Sequence, residues 1–182
     1  MQLKYLQSIP EEHRPIFSFL LNHPVRVGEA CALQRKHVDL NNMVVEISRA
    51  VGFKYEIKAR KNRRPYFLPL SSRFDVSVPK NKLPDAYVFT HGGKLYNYNV
   101  LGSTWRRSLK KADLPYLNLY KASRHGIASQ AVNSGVSLDR ISKALGHSSI
   151  EITKKYASMN VELLRDIIEG EQGIGAQMVQ ME

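Results

Sequence analysis

Cysteine, acidic residues and long apolar runs are all scarce in this chain, and each scarcity excludes a class of protein. The only cysteine among its 182 residues is Cys31, so an internal disulfide is impossible and a reducing compartment fits. Cys31 lies in the apolar run ACAL, which favours a small core residue over a nucleophile. No apolar stretch reaches the roughly 20 residues of a membrane-spanning helix, and the N-terminal residues lack the apolar core of a secretory signal. We therefore expect a cytoplasmic protein without a membrane partner.

The shortage of acidic residues leaves the chain strongly basic. Lysine and arginine number 27 against 16 aspartates and glutamates, which gives a net charge of +11 and a pI near 9.8. A surplus this large favours a polyanionic partner. Residues 54–64, KYEIKARKNRR, could bind the phosphate backbone of such a partner. A solvated charged hairpin would have the same composition. The cations of this segment are Lys54, Lys58, Arg60, Lys61, Arg63 and Arg64.

The first half of the chain reads as two helices followed by β-strands. Ser8 to Glu11 has the S-x-x-E form of a capping box, and the apolar spacing after it predicts a helix that ends near residues 22–24. A second helix is predicted over residues 27–35. Short β-branched and aromatic segments predict strands at 43–48, 55–60 and 65–70, and a loop follows at 75–86.

The second half of the chain reads as helical throughout. At this length we expect one main domain, mainly α-helical with one small antiparallel β-sheet, an α+β fold. Capping residues and apolar spacing predict five helices: one capped by Asn97 or Asn99 that stops near residues 113–115, one over 122–133 closed by Gly135, one from Ser137 to Gly146, one that begins at a second capping box over 148–151, and one over 161–169.

Residues 119–159 carry side chains that suit attack on a phosphodiester. Lys121 and Arg124 are one helical turn apart, so both can point from one face. His147 comes just before a capped helix N-terminus, whose free N–H groups attract an anionic phosphate. Tyr156 lies about two turns into that helix, beside two lysines. Each residue alone is more often structural, but together they supply the nucleophile and the cations that attack on phosphorus requires.

The order and spacing of these residues resemble the second conserved half of the tyrosine recombinases, the phage-type integrases. In that family a histidine or basic residue is followed, after two residues, by Arg-His, and later by Leu-Gly-His and the nucleophilic tyrosine. Lys121 occupies the position that is most often histidine. The matching residues here are Lys121, Arg124-His125, Leu145-Gly146-His147 and Tyr156.

The first half of the chain contributes two further matches. Residues 24–30, PVRVGEA, resemble the family's first arginine box, with His23-Pro24 where Thr-Gly is usual. The family's catalytic lysine lies about eight residues before the proline of a β-strand. Counting back from Pro69 selects Lys61, and Lys58 is the alternative. The catalytic set that the resemblance implies is Arg26, Lys61, Lys121, Arg124, His147 and Tyr156. Glu29 would hold Arg26 in place, and His125 would be a second supporting residue.

The resemblance also implies a mechanism. Tyr156 attacks the phosphate to form a 3′-phosphotyrosine, while Arg26 and Arg124 hold the non-bridging oxygens. His147 assists as a hydrogen-bond donor or proton acceptor, and Lys61 protonates the leaving 5′-oxygen. No metal, cofactor or ATP is implied. The implied partner is double-stranded DNA, bound by a homotetramer of the full-length protein. A bacterial or phage-encoded protein of this kind is expected in the cytoplasm, associated with the nucleoid.

The same resemblance predicts how the chain is organised. Residues 1–160 form a catalytic domain, and the family's N-terminal core-binding domain is expected to be absent from the chain. The helix and tail over 161–182 pack either on their own domain or on a neighbouring protomer. Two other activities fit the same residues: DNA relaxation of the type IB topoisomerase kind, and DNA binding by a relative that has lost catalysis.

Overall fold

Six α-helices and seven short β-strands form in the residues that the computed structural model describes, which are 2–52, 56–59, 65–72 and 83–147. The predicted helices around Tyr156 and over 161–169 lie outside these residues. No helix of the described part is long and apolar enough to span a bilayer. The helices are α1 (Gln2–Ser8), α2 (Arg14–Asn22), α3 (Val27–Cys31), α4 (Tyr98–Lys111), α5 (Gly126–Asn133) and α6 (Leu138–Ala144). The strands are β1 (Val38–Asp39), β2 (Val44–Ile47), β3 (Arg49–Val51), β4 (Ile57–Ala59), β5 (Tyr66–Pro69), β6 (Thr90–His91) and β7 (Lys94–Leu95).

The start of the first predicted helix is wrong. Ser8 ends α1 instead of capping α2, and its hydroxyl donates to the Tyr5 carbonyl at 2.7 Å. Pro10 then adopts an extended conformation (φ −54°, ψ 142°), so the chain restarts with a 3-10 turn at Glu11–His13 before α2. The predicted end near residue 22 is confirmed, because α2 stops at Asn22.

The helix α3 is shorter than the predicted span of 27–35, because the backbone that follows it forms hydrogen bonds with a distant segment of the chain. The Leu33 carbonyl accepts from the Val88 amide at 2.8 Å, and the Arg35 amide donates to Ala86 at 2.8 Å. Residues 33–35 therefore pair with a distant segment and cannot continue a helix, so α3 ends at Cys31.

Each predicted strand segment contains an observed strand, but the expectation of a single sheet is wrong. In the described part, β2 is the centre of an antiparallel three-stranded sheet with β1 and β5 on its sides. The β3–β4 and β6–β7 pairs form two separate hairpins. Only residues 83–86 of the predicted loop are described, and they form a turn closed by the Ala86 amide and the Leu83 carbonyl at 2.9 Å.

The main core lies between the N-terminal helices, the three-stranded sheet and α4. Trp105 is its largest buried side chain, and its ring lies 5.6 Å from that of Tyr5 and 5.8 Å from that of Phe17. The Trp105 indole donates to the Leu117 carbonyl at 2.6 Å. Cys31 is buried in the same core, where burial raises the pKa of its thiol to about 12, as expected for a packing residue.

The caps predicted for the later helices are confirmed. Asn97, not Asn99, caps α4, since its side-chain oxygen accepts from the Val100 amide at 2.7 Å. Ser137 caps α6 in the same way through the Arg140 amide. Gly135 follows α5 with a positive φ, as expected for the residue that closes that helix.

The predicted helix over 122–133 has an irregular start. Residues Lys121–His125 form one wide π-helical turn that is kinked at Ser123 (φ −101°, ψ −111°). The kink brings the Lys121 carbonyl inward, so that a Cβ at Gly126 would lie 2.7 Å from that oxygen. Glycine is therefore the residue that fits at this position, and regular helix resumes from it as α5.

Candidate active site

A buried carboxylate fixes Arg26 at the start of α3. Arg26 has extended backbone angles there (φ −77°, ψ 149°). The Glu29 carboxylate accepts from the Arg26 amide at 2.8 Å and from its guanidinium at 2.9 Å. The Glu29 side chain is 2% exposed and that of Arg26 is 47% exposed. The pair therefore presents a cation at the surface in a fixed direction, as the arginine box predicts.

Tyr66 is a third member of this group that the sequence analysis missed. Its hydroxyl donates to Glu29 Oε2 at 3.1 Å. The available signal was the two-residue period of β5, which puts Tyr66 on the same face as the buried Leu68. Because β5 follows the basic segment, Tyr66 connects the end of that segment to the Arg26–Glu29 pair.

His23 explains the departure from Thr-Gly before the arginine. Its Nδ1 donates to the Phe19 carbonyl at 3.0 Å, and its Nε2 accepts from the Ser71 amide at 3.0 Å. The ring is stacked on Phe19 with centroids 4.4 Å apart. Burial lowers the pKa of His23, so the neutral ring is the form that fits. His23 thus ties the end of α2 to the chain after β5 and fixes the turn into α3.

Arg124 bridges the two halves of the site from a buried position. It is 2% exposed, and its guanidinium donates to the carbonyl of Pro24 at 2.8 Å and to that of Leu145 at 2.7 Å. Pro24 lies two residues before Arg26, and Leu145 lies two residues before His147. One side chain therefore holds the two chain segments that carry the other predicted residues.

Arg26, Arg124 and His147 meet at one pocket of about 460 Å³. The backbone turns into His147 at the end of α6, where its amide donates to the Ser142 carbonyl at 3.0 Å. Two cations and an imidazole around a cavity of this size can surround a phosphate group. The described residues that line the pocket are Arg26, Val27, Tyr98, Leu101, Gly102, Asn118, Leu119, Tyr120, Arg124 and His147.

A family model described as the phage integrase family matches residues 2–162. The chain belongs to the phage integrase family. Among curated proteins it is similar to tyrosine recombinase XerC of Bifidobacterium longum (strain DJO10A), with 21% identity over 164 residues. The match covers 86% of this chain and 46% of that protein, so the chain spans about half the length of the curated relatives it matches.

Solved structures show that the chain has the fold of a tyrosine recombinase catalytic domain. The Tn1549 transposon integrase in complex with a circular intermediate DNA superimposes with a TM-score of 0.73 at 21% identity, covering 88% of this chain and 62% of that one. The catalytic domain of bacteriophage HP1 integrase gives a TM-score of 0.61 at 20% identity, covering 92% of this chain and 89% of that one. The predicted fold class, mainly α-helical with a smaller antiparallel β part, is confirmed, although that part forms more than the one sheet expected.

In this integrase-family chain, Lys121 does not lie where a regular helix would put it. The expectation that Lys121 and Arg124 lie one regular helical turn apart is wrong, because the turn Lys121–His125 is π-helical and kinked at Ser123. Lys121 is exposed and Arg124 is buried. Lys121 is absent from the described residues that line the pocket, whereas its neighbour Tyr120 is among them. His125 is partly buried beside the site, with its ring centroid 5.9 Å from that of Tyr120.

Tyr98 forms part of the pocket wall and was also missed by the sequence analysis. The Gly28 amide hydrogen-bonds its hydroxyl, and burial raises the pKa of the Tyr98 phenol. A Cβ at Gly28 would lie 2.5 Å from the Tyr98 hydroxyl and 2.4 Å from the Val51 carbonyl. The arginine box therefore packs directly against β3 and α4, which sets the position of Arg26 relative to the pocket.

Lys58 is the one cation of the basic segment that falls within the described residues. It lies in β4, opposite Ala50, and its ammonium pairs with Glu56 at 2.7 Å. It lines a different pocket, of about 640 Å³, together with His37, Glu46, Ser48, Arg49, Ile57 and Ala59. The predicted residues outside the described part are Lys54, Arg60, Lys61, Arg63, Arg64 and Tyr156.

Proposed function

We propose that this chain is the catalytic part of a site-specific DNA recombinase that integrates or excises DNA by cutting and rejoining strands. Residues 1–160 would form the catalytic domain, and the helix and tail over 161–182 would pack on it or on a neighbouring protomer. Double-stranded DNA is the substrate, and a homotetramer of the full-length protein is the assembly we expect on it. The setting is the cytoplasm of a bacterium, on nucleoid or phage DNA.

The observation that carries this proposal is the bridge made by Arg124. Its two hydrogen bonds join the segment of Arg26 to the segment of His147, and all three residues line one pocket. A phosphodiester in that pocket would be surrounded by guanidinium and imidazole groups, which stabilise the charge that develops on a five-coordinate phosphorus. The relatives in the same family, and the integrase solved with a circular intermediate DNA, support a DNA substrate.

The chemistry follows from the groups that this chain can bring to the phosphate. The Tyr156 hydroxyl forms an O–P bond while the bond from phosphorus to the 5′-oxygen breaks. Its proton passes to His147 or to water, and the leaving oxygen takes a proton from Lys61. The product is a 3′-phosphotyrosine and a free 5′-hydroxyl. Attack by another 5′-hydroxyl reverses the step, so no ATP is consumed and no metal has a part in the scheme.

A nicked duplex that traps the covalent product tests the proposal. Wild-type protein is expected to form a protein–DNA adduct that resists denaturation, at the same rate with and without chelator. Tyr156→Phe is expected to abolish the adduct while DNA binding stays within about twofold, since only the nucleophile is lost. Adducts that persist in Tyr156→Phe contradict the assignment of the nucleophile, and a wild-type protein that binds DNA without adducts contradicts the activity.

The same assay decides between the two lysines. A 5′-bridging sulfur leaves without protonation, so this substrate removes the need for a general acid. We expect Lys61→Ala to lose about 10²–10⁴-fold on the ordinary substrate and to recover on the sulfur-containing one. Lys58→Ala is the matched control, because Lys58 lies in β4 and forms an ion pair with Glu56. Recovery of Lys58→Ala instead would move the role to Lys58.

A further inference from the structure

Two tyrosine hydroxyls at the pocket take no part in the steps above. Tyr98 and Tyr120 are the two tyrosines among the described residues that line it. The Tyr98 hydroxyl is engaged by the Gly28 amide against the wall of the pocket. Tyr120 is 45% exposed, and within the described part of the chain its hydroxyl makes no hydrogen bond. A donor is therefore open to a ligand beside Arg26, Arg124 and His147.

Local structure holds Tyr120 in this place. The Asn118 side chain accepts from the Tyr120 amide at 2.8 Å, which fixes the backbone where the helical segment begins. On the other side, the ring packs at a 37° tilt against His125, with centroids 5.9 Å apart. The kinked turn that follows keeps Arg124 in the pocket wall and leaves Lys121 exposed. The phenol is thus positioned by its own backbone and by a neighbouring ring.

We propose that the Tyr120 hydroxyl donates a hydrogen bond to a non-bridging oxygen of the scissile phosphate, at the place where the resemblance had put Lys121. This inference rests on the function proposed above. A phenol O–H is a hydrogen-bond donor, and a bond from it to an anionic oxygen gains strength as charge develops there. No proton is transferred, so the step needs no co-reactant. His125, which packs against the ring, acts as a positioning residue for Tyr120.

Cleavage rates of tyrosine variants on the nicked duplex test this assignment. Tyr120→Phe removes only the hydroxyl and is expected to slow adduct formation by about 10- to 100-fold, the usual effect of losing one hydrogen bond to a charged group. Tyr116→Phe is the matched control, because Tyr116 is 64% exposed and lines a different surface depression with Arg106 and Asp113. Its rate is expected to equal that of wild type. Lys121→Met is expected to lose less than Tyr120→Phe, and a larger loss in Lys121→Met overturns the proposal.

A substrate in which methyl replaces one non-bridging oxygen separates contact with the phosphate from a structural effect. The replacement gives two diastereomers, and the Tyr120 hydroxyl can meet the missing oxygen in only one of them. We expect the rate difference between wild type and Tyr120→Phe to disappear, to within about twofold, on that diastereomer and to persist on the other. An equal difference on both diastereomers, or none on the ordinary phosphate, overturns the proposal. Failure of the proposed function looks different, because wild-type protein would then give no Tyr156-dependent adduct on any substrate.

Discussion

His23 makes the stability of the protein sensitive to acid. Its ring accepts from the Ser71 amide and donates to the Phe19 carbonyl, and only a neutral imidazole can do both. Burial lowers its pKa, and burial also lowers the pKa values of His13 and His37. As the pH falls, the unfolded chain takes up protons on these rings before the folded chain does. Their contribution to stability is therefore complete above about pH 6.5 and is lost as the pH falls below it.

We expect urea unfolding at pH 5.5 to give a lower free energy of unfolding than at pH 7.5, by no more than about 1.4 kcal/mol for His23 alone. His23→Gln retains a donor and an acceptor but cannot be protonated. Its stability at pH 7.5 is expected to be lower, since the amide is shorter and cannot stack as the ring does. The variant should nevertheless lose less than wild type between the two pH values. An identical loss in both proteins would show that His23 does not titrate in this range.

At the scale of secondary-structure elements, the contact of α3 with β3 and α4 positions the arginine box. Gly28 lies where a Cβ would meet the Val51 backbone at 2.4 Å and the Tyr98 hydroxyl at 2.5 Å. Because backbone oxygen cannot move aside as a flexible side chain would, α3 would have to shift away from β3. Arg26 starts α3, so the shift would displace its guanidinium as well.

Gly28→Ala is expected to destabilise the protein by about 1–3 kcal/mol, the usual cost of overpacking. Gly102→Ala provides the matched control, because Gly102 lies inside α4 with nothing within 4 Å of the added Cβ. There alanine is the better helix former, and stability should rise by about 0.5–1 kcal/mol. Thermal unfolding of the two variants measures both effects. A neutral Gly28→Ala would mean that α3 has room to move.

The features that could be predicted from the sequence are those that a few neighbouring residues decide. The caps at Asn97 and Ser137 act on amides three residues away, and the Arg26–Glu29 pair joins residues three apart. Ser8 has the same local signal as a cap, but Pro10 is extended and α1 ends at Ser8, so the signal misleads. Local patterns cannot include partners that lie far along the chain.

The missed parts of the site depend on such distant partners. Tyr66 reaches Glu29 from a strand 37 residues further along the chain. The bridge from Arg124 to two carbonyls gives no local signal, although the family spacing identifies Arg124 itself. Tyr120 lines the pocket instead of Lys121 because of a kink at Ser123, and no residue pattern predicted that kink.

At the scale of the whole molecule, the net charge of +11 would govern how the chain meets the DNA that we propose as its partner. Helix α4 contributes to this charge with four cations in its second half and no acidic residue: Arg106, Arg107, Lys110 and Lys111. Each phosphate that the protein neutralises releases counterions. The binding constant therefore falls as the salt concentration raised to a power of about 0.9 for each phosphate.

We therefore expect weak binding with little sequence preference and a steep dependence on salt. If four phosphates are neutralised, affinity should fall about 10²-fold between 50 and 200 mM salt. Fluorescence anisotropy with a labelled duplex measures this, and a duplex of scrambled sequence is the control. Affinity that is independent of salt, or a strong preference for one duplex, would contradict a binding mode dominated by phosphate contacts.

The bridge made by Arg124 also bears on when the proposed cleavage could take place. Its hydrogen bonds connect residues 100 and 21 positions apart, so the pocket closes only after distant parts of the chain have met. Contacts of this range require long loops to close, which costs chain entropy. A chain still emerging from the ribosome, or one that has opened locally, holds its arginines and its histidine in separate places. The cleavage proposed above would therefore require that the segments of Arg26, Arg124 and His147 have already met.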